Sequence, residues 1–441
     1  MKQRGRHRRR RRGRALRAAL TGAALALTGA ATMISASQAE VADGPGALRR
    51  LAVSDALRLT EHRVPRPWLD RLSASMGEPV GADTVLGSAD RPLRDAADCA
   101  DEEREALPVS PAAARAYCWD ARDTHGWRPG AVTTSADADG RWASHRVVLS
   151  AWSHDDGTPG GGLARVSFVD ADDPGRLRHT SALLTVPVDG GRDYRALASP
   201  VSGMVWYRDK LLVTAGAGER DALYVYDLDR VQRATADADA VGRVPGGWAA
   251  HGHPYVLTAV ASYRPAGTPD AARPAALSLD RGTVPAGLVA SEYVPAGADR
   301  PTRLWRYALG TDRAPGPGSA PDQERAGLPV TDSAGHVDAR EAYETTVTEV
   351  TGVLSHRPAG SGHADWYLGR TAGDGTTGRG MLWRQDAEGA RAAQCGADRS
   401  RQCWSAPSGA LSHPARTGEV WSQSGRMLFA LPLTSVEDAL G

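Results

Sequence analysis

Short runs rich in Val, Leu, Thr, Tyr and Trp recur from Trp127 to the C terminus, each bounded by Gly, Pro, Asp or Ser. One motif returns five times: GLARVSFVDADD from Gly162, ALYVYDLDRV from Ala222, RLWRYALGTD from Arg303, GMLWRQDAEG from Gly380 and RMLFALPLTS from Arg426. In the stretch Val201–Val231 both faces are apolar or aromatic, as in a small sheet covered on each side by another. Together these observations predict an all-β chain: a β-propeller of five blades over 128–441, preceded by a short helical or irregular N-terminal cap over 40–127.

The clearest segment is Val201–Val231. It reads as three antiparallel strands, Val201 to Tyr207, Leu211 to Ala215 and Ala222 to Leu228, joined by a tight turn at Arg208-Asp209-Lys210 and a Gly-rich turn. The recurring motif is the third strand of each blade. Anchored at Leu163, Leu223, Leu304, Met381 and Met427, its copies are 60, 81, 77 and 46 residues apart, a spacing set by blade length plus variable loops. Upstream partners are AVTTSADA with HRVVLSAWS, then ALSLDR with LVASEYVP, VTEVTGVLSH with DWYLGRT, and GALSHP with EVWSQS. The last blade has no fourth strand after Leu433, so a cap strand is expected to complete it. Gln232–His253 and Gly310–Glu341 lack periodicity and read as surface loops.

At the N terminus, residues 1–17 hold nine Arg and one Lys, Ala18 to Ile34 is mildly apolar, and Ser37-Gln38-Ala39 places small residues at a cleavage site. This is the pattern of a signal peptide spanning 1–39, cut after Ala39, and it implies a secreted, extracellular protein with no stable membrane insertion after cleavage. Between Glu40 and Trp127, ALRRLAVSDALRL has helix-like spacing and DAADCADEEREAL is acidic and Ala-rich, with Pro65, Pro67, Pro79 and Pro92 breaking the segment.

Without residues 1–39 the chain carries 43 basic against 52 acidic side chains, a net charge of −9. Such a surface disfavours nucleic acid and anionic lipid. Lys occurs only at positions 2 and 210, and Asn is absent, so no site can use an Asn amide. Four cysteines in an exported chain imply two disulfides with three possible connectivities, and the local pairing Cys99–Cys118 with Cys395–Cys403 is expected. Neither pair has zinc-ligand spacing. The tight His clusters, His251-Gly-His253 and His154-Asp155-Asp156, fall in expected loops and call for no metal; no cofactor is expected.

Inner strands of a propeller converge on one central pocket. Here they offer Asp137, Ser202, Asp280, Glu349 and His413 as binding candidates. A glycosidase needs two carboxyls flanking the scissile bond, which Asp137 with Asp280 or Glu349 would supply. Asp280 followed by Arg281 also reads as a strand-end ion pair. Trp142, Trp152 and Trp248 are candidate sugar-stacking rings, with core packing as the other reading. No Gly-x-Ser-x-Gly elbow occurs.

From Tyr117 onward the chain resembles uncharacterised secreted β-propeller proteins of GC-rich actinobacteria. The resemblance rests on Cys118-Trp119-Asp120, AVTTSADA, RVSFVD, GMVWYRDKLLV, LYVYDLDRV and ALSLDR, in that order. Similar proteins carry Gln, His or Glu-Asp near the starts of their inner strands. This chain has Gly130-Ala131, Val201-Ser202, Val350-Thr351 and Ser408-Gly409 there, which implies an eroded site. The group has no activity to carry over, and lactonase-type propellers use Asn among their metal ligands. The expected function is a monomeric, non-catalytic binding or scaffold protein for an extracellular ligand, an envelope glycan or an exported protein. The alternative is an extracellular hydrolase, glycosidase-like or lactonase-like, using inner-strand carboxylates.

Overall fold

The computed structural model describes residues 44–154, 162–216, 218–311, 325–358, 360–371, 378–405, 410–414 and 417–441. The segment expected to be a signal peptide and its expected cleavage site lie outside them, as do Asp155, Asp156, Ser408 and Gly409. Among the described residues no helix is long and apolar enough to cross a membrane.

The chain is all-β, and its strands follow one another in antiparallel meanders. The first meander comprises Trp127–Thr134, Val147–His154, Leu163–Asp170 and Arg178–Val188. The second comprises Met204–Tyr207, Lys210–Thr214, Leu223–Asp227 and Tyr255–Pro265, and its last strand also pairs in parallel with Arg178–Val188. The third holds Ala276–Asp280, Gly287–Ser291, Thr302–Ala308 and Glu341–Thr345. The fourth holds Val350–His356, Asp365–Arg370, Met381–Gln385 and Ala390–Ala392. The fifth opens with Ser412, bridged to Trp421 of Glu419–Ser424, and continues with Met427–Pro432. Every copy of the recurring motif is thus the third strand of its meander.

The fifth meander is closed by the N-terminal region, as the missing fourth strand required. Arg115–Cys118 pairs with Met427–Pro432, and Arg94–Asp95 pairs with Arg115–Cys118. Other N-terminal strands extend other meanders: Arg91–Pro92 the first, Leu59–Arg63 the second and Arg49–Leu51 the third. ALRRLAVSDALRL is therefore not a helix but a strand, a 3-10 turn and a second strand. A sheet edge offers a full row of hydrogen-bond partners, which outweighs the weak helical preference of a segment interrupted by Val53, Ser54 and Asp55. The acidic run gives the 3-10 helix Ala96–Asp98 and the four-residue helix Asp101–Arg104. Both expected disulfides form, Cys99–Cys118 and Cys395–Cys403.

Gln232–His253, expected as a loop, contains the hairpin Val241–Val244 and Gly247–Ala250. Gly246 at φ +90° supplies the turn, and Trp248 anchors the hairpin by packing with Leu72, Met76 and Tyr194. The core lies in layers between successive meanders. Trp142, Trp152, Trp206 and Phe168 fill one layer, Trp305, Tyr307 and Tyr263 another, and Trp404, Phe429 and Tyr367 a third. Burial on both sides explains strands without a polar face.

Candidate functional site

The first strands of the first four meanders lie side by side and point the same way. Gly130 in the first approaches the second so closely that an added Cβ would sit 2.0 Å from Val201 O. Further along, Trp206 N donates to Thr133 Oγ1 at 3.1 Å, and Ala138 forms a parallel bridge with Arg208. Ser202 Oγ donates to Ala275 O at 2.7 Å, which sets the third meander beside the second. Ser355 Oγ donates to Asp280 Oδ2 at 3.0 Å, and the His356 ring lies 5.5 Å from that of His413. Glu419–Ser424 then adjoins Trp127–Thr134.

This alignment divides the candidate residues between two ends. Ser202 and Glu349 precede their strands; Asp137 follows Trp127–Thr134, Asp280 ends its strand, and His413 lies beside the end of Val350–His356. Asp280 is level with Ser355, six residues beyond Glu349. At a strand rise of about 3.3 Å per residue, that places Glu349 about 20 Å from the Asp280 level. Retaining and inverting glycosidases hold their carboxyls about 5 to 10 Å apart. Glu349 therefore does not join Asp137 or Asp280 in one constellation.

Each carboxylate is also held by an arginine. Asp137 is ion-paired with Arg281 in 3-10 helix Ser135–Asp137. Asp280 pairs with the buried Arg306, which also bonds Ser355 Oγ at 2.8 Å and pairs with Glu341. The strand-end pair read from Asp280-Arg281 is thus replaced: Thr302–Ala308 brings Arg306 across the sheet, and Arg281 reaches the first meander instead. Glu349, in the left-handed region at φ +57°, pairs with Arg370 at 3.2 Å. His413 donates from Nδ1 to Glu419 O at 2.8 Å, and burial lowers its pKa, which keeps the ring neutral at pH 7.

The three tryptophans considered for sugar stacking are all core: Trp142, Trp152 and Trp248 are 1%, 0% and 4% exposed. Lys210, one of the chain's two lysines, is buried beside Asp209 and Asp227, and their charges raise its pKa against the opposing effect of burial.

Two features went unread in the sequence. The first is a cluster of the buried Trp119, Trp152, Arg165, His179 and His253 with the half-buried Trp127. Arg165 stacks on Trp127 at 4.1 Å, and Trp119 meets Trp152 and His179 edge-on at 5.2 and 4.7 Å. His179 Nε2 lies 3.3 Å from Asp123 Oδ2, and His253 Nδ1 lies 2.9 Å from Ser181 Oγ. Burial pushes the Arg165 guanidinium down to about 9 and His253 down to about 3. The second is a cleft of about 380 Å³ between the first and fifth meanders, lined by Val147, Val148, Leu177 and Trp421 with Arg115 and Arg146. Nothing in the sequence links residues 115, 146 and 421; the closure of the fifth meander brings them together.

No family model and no curated protein matches the chain. Among solved structures it is similar to Drosophila Plexin A in complex with Semaphorin 1b, at 12% identity over 65% of this chain and 71% of that one, with a TM-score of 0.27. It is also similar to the extracellular domains 1-2 of Drosophila Semaphorin 1a, at 10% identity over 89% of this chain and 87% of that one, with a TM-score of 0.26. At TM-scores this low the likeness carries neither fold nor function.

Proposed function

We propose that the chain is a secreted, non-catalytic binding or scaffold protein built as a five-bladed β-propeller, each meander being one blade. The propeller reading is supported by five meanders, the first strands of four of them side by side and the fifth completed by N-terminal strands. Export is supported by the basic-then-apolar N terminus and by the two disulfides.

The observation that carries the binding reading is the state of the carboxylates. Asp137, Asp280 and Glu349 are each committed to an arginine, and Glu349 stands at the opposite end from the other two. A general acid needs a raised pKa and a free proton, which an adjacent guanidinium opposes. The ligand class is an envelope glycan or another exported protein, presented to a rigid, loop-lined face.

The test is a screen of the purified chain, lacking residues 1–39, against envelope polysaccharides for retention and turnover. Retention without turnover, unchanged in Asp137→Ala and Glu349→Ala, is the expected result. Turnover abolished by either substitution would replace this reading with the hydrolase one.

A further inference from the structure

The cleft between the first and fifth meanders has an asymmetric chemistry. Its walls are the apolar side chains of Val147, Val148, Leu177 and Trp421. Its volume, about 380 Å³, falls in the range of small-molecule sites, roughly 300 to 1,000 Å³. Glu419 is the single carboxylate among the lining residues, and Arg115 binds it while lying 5.8 Å over the Trp421 ring.

Arg146 is the exposed charge at the mouth. Its Nη2 donates to the main-chain carbonyl of Asp172, its main-chain N–H donates to Asp172 Oδ1 at 2.7 Å, and its charge helps hold that carboxyl below its ordinary range, against burial, without a direct side-chain ion pair among the described residues. His145 stands next to it, with Nδ1 2.9 Å from Asp172 Oδ2 and Nε2 3.1 Å from Asp83 Oδ1. Those two acids do not line the cleft. Among the lining residues themselves two arginines stand against one carboxylate, and Arg146 presents its guanidinium at an exposed mouth above an apolar floor, with Asp172 beside it.

We propose that this cleft binds an anionic amphiphile: an apolar chain or ring lying against Val147, Val148, Leu177 and Trp421, with one acidic head group at Arg146. This goes beyond the binding reading by adding a second, small-molecule ligand class at a separate place. Apolar walls reward each added methylene, and a charged donor rewards an acidic head over a neutral one. A fully buried methylene is worth about a fourfold gain in affinity, so decanoate should bind about fifteen times more tightly than octanoate.

The experiment uses the chain lacking residues 1–39 and monitors displacement of 8-anilinonaphthalene-1-sulfonate, itself an apolar ring system with an acidic head, by decanoate, decanol and decyltrimethylammonium. Decanoate should displace the probe best and decyltrimethylammonium least. Arg146→Gln should weaken decanoate about tenfold while leaving decanol unchanged. Ala143→Trp, at an exposed lining position outside the core, should weaken both by filling the mouth. Equal binding of decanoate and decyltrimethylammonium, or unchanged decanoate affinity in both variants, overturns the proposal. If decanoate fails to bind while a polysaccharide is still retained by the same preparation, the cleft assignment falls and the binding reading stands.

Discussion

Acidification should unfold this protein early, and His253 sets much of the slope. The folded imidazole is held at about 3 by burial first, then by the positive charges of Arg165, His251 and Arg91; Ser181 Oγ and the Trp127 ring are its other neighbours. In the unfolded chain the same group titrates near 6.5. Between those values the unfolded state takes up a proton that the folded state refuses. Stability is complete above about pH 6.5 and is lost as pH falls, at about 1.4 kcal/mol per unit for this one residue, or about 3 kcal/mol by pH 4. His179, lowered chiefly by burial, adds in the same direction, and Asp123, held below its ordinary range chiefly by His179, adds only under more acidic conditions. His145 works the other way. Its hydrogen bonds to Asp172 and Asp83 raise its pKa, so its contribution is present below about 6.5 and fades as pH rises through the folded value. The assay is urea unfolding followed by tryptophan fluorescence at stepped pH, for the wild type and His253→Gln. The variant should lose about 3 kcal/mol less than the wild type between pH 6.5 and 4. Parallel pH dependence in the two proteins would refute the reasoning.

Other outcomes follow from packing and charge. Arg306→Met leaves Asp280 buried without its cation and should cost about 3 to 5 kcal/mol in chemical denaturation, whereas Asp280→Asn with Arg306→Met should recover part of that loss. Cys99→Ser with Cys118→Ser should lower stability by about 2 to 5 kcal/mol and expose Arg115–Cys118 to proteolysis under mild denaturant, because the bond ties that strand to the segment beside it. Gly130→Ala should lower the thermal midpoint, since its methyl would have to displace the backbone at Val201, and a surface substitution such as Gly267→Ala, in open space, should not.

The third strands were legible because each carries its apolar and aromatic residues as a compact run bounded by Asp, Gly or Pro, as LYVYDLD does at Leu223. The recruitment of Arg49–Leu51 and Leu59–Arg63 into distant meanders was not. Their local pattern fits a helix as well as a strand, and only the free edges of the third and second meanders decide between them. Part of the site was readable from position alone. Asp137 and Asp280 come after an apolar run and Ser202 and Glu349 before one, so parallel first strands necessarily separate them. The partners of those acids were hidden, because Arg306 reaches Asp280 through the register of two hairpins, with Leu288 opposite Tyr307 and Val289 opposite Arg306.

The closure of the fifth meander also imposes an order on the birth of the molecule. Phe429 pairs with Ala116 across more than three hundred positions of chain, so the strand Arg115–Cys118 leaves the ribosome long before its partner exists. The Cys99–Cys118 bond spans only 19 residues and needs no distant partner. It can fasten the strand early as a pre-shaped latch awaiting its catch. A chain cut short before Met427 would keep that latch open, with unpaired backbone on display, and so carry a visible mark of its own incompleteness to any protease or chaperone it meets.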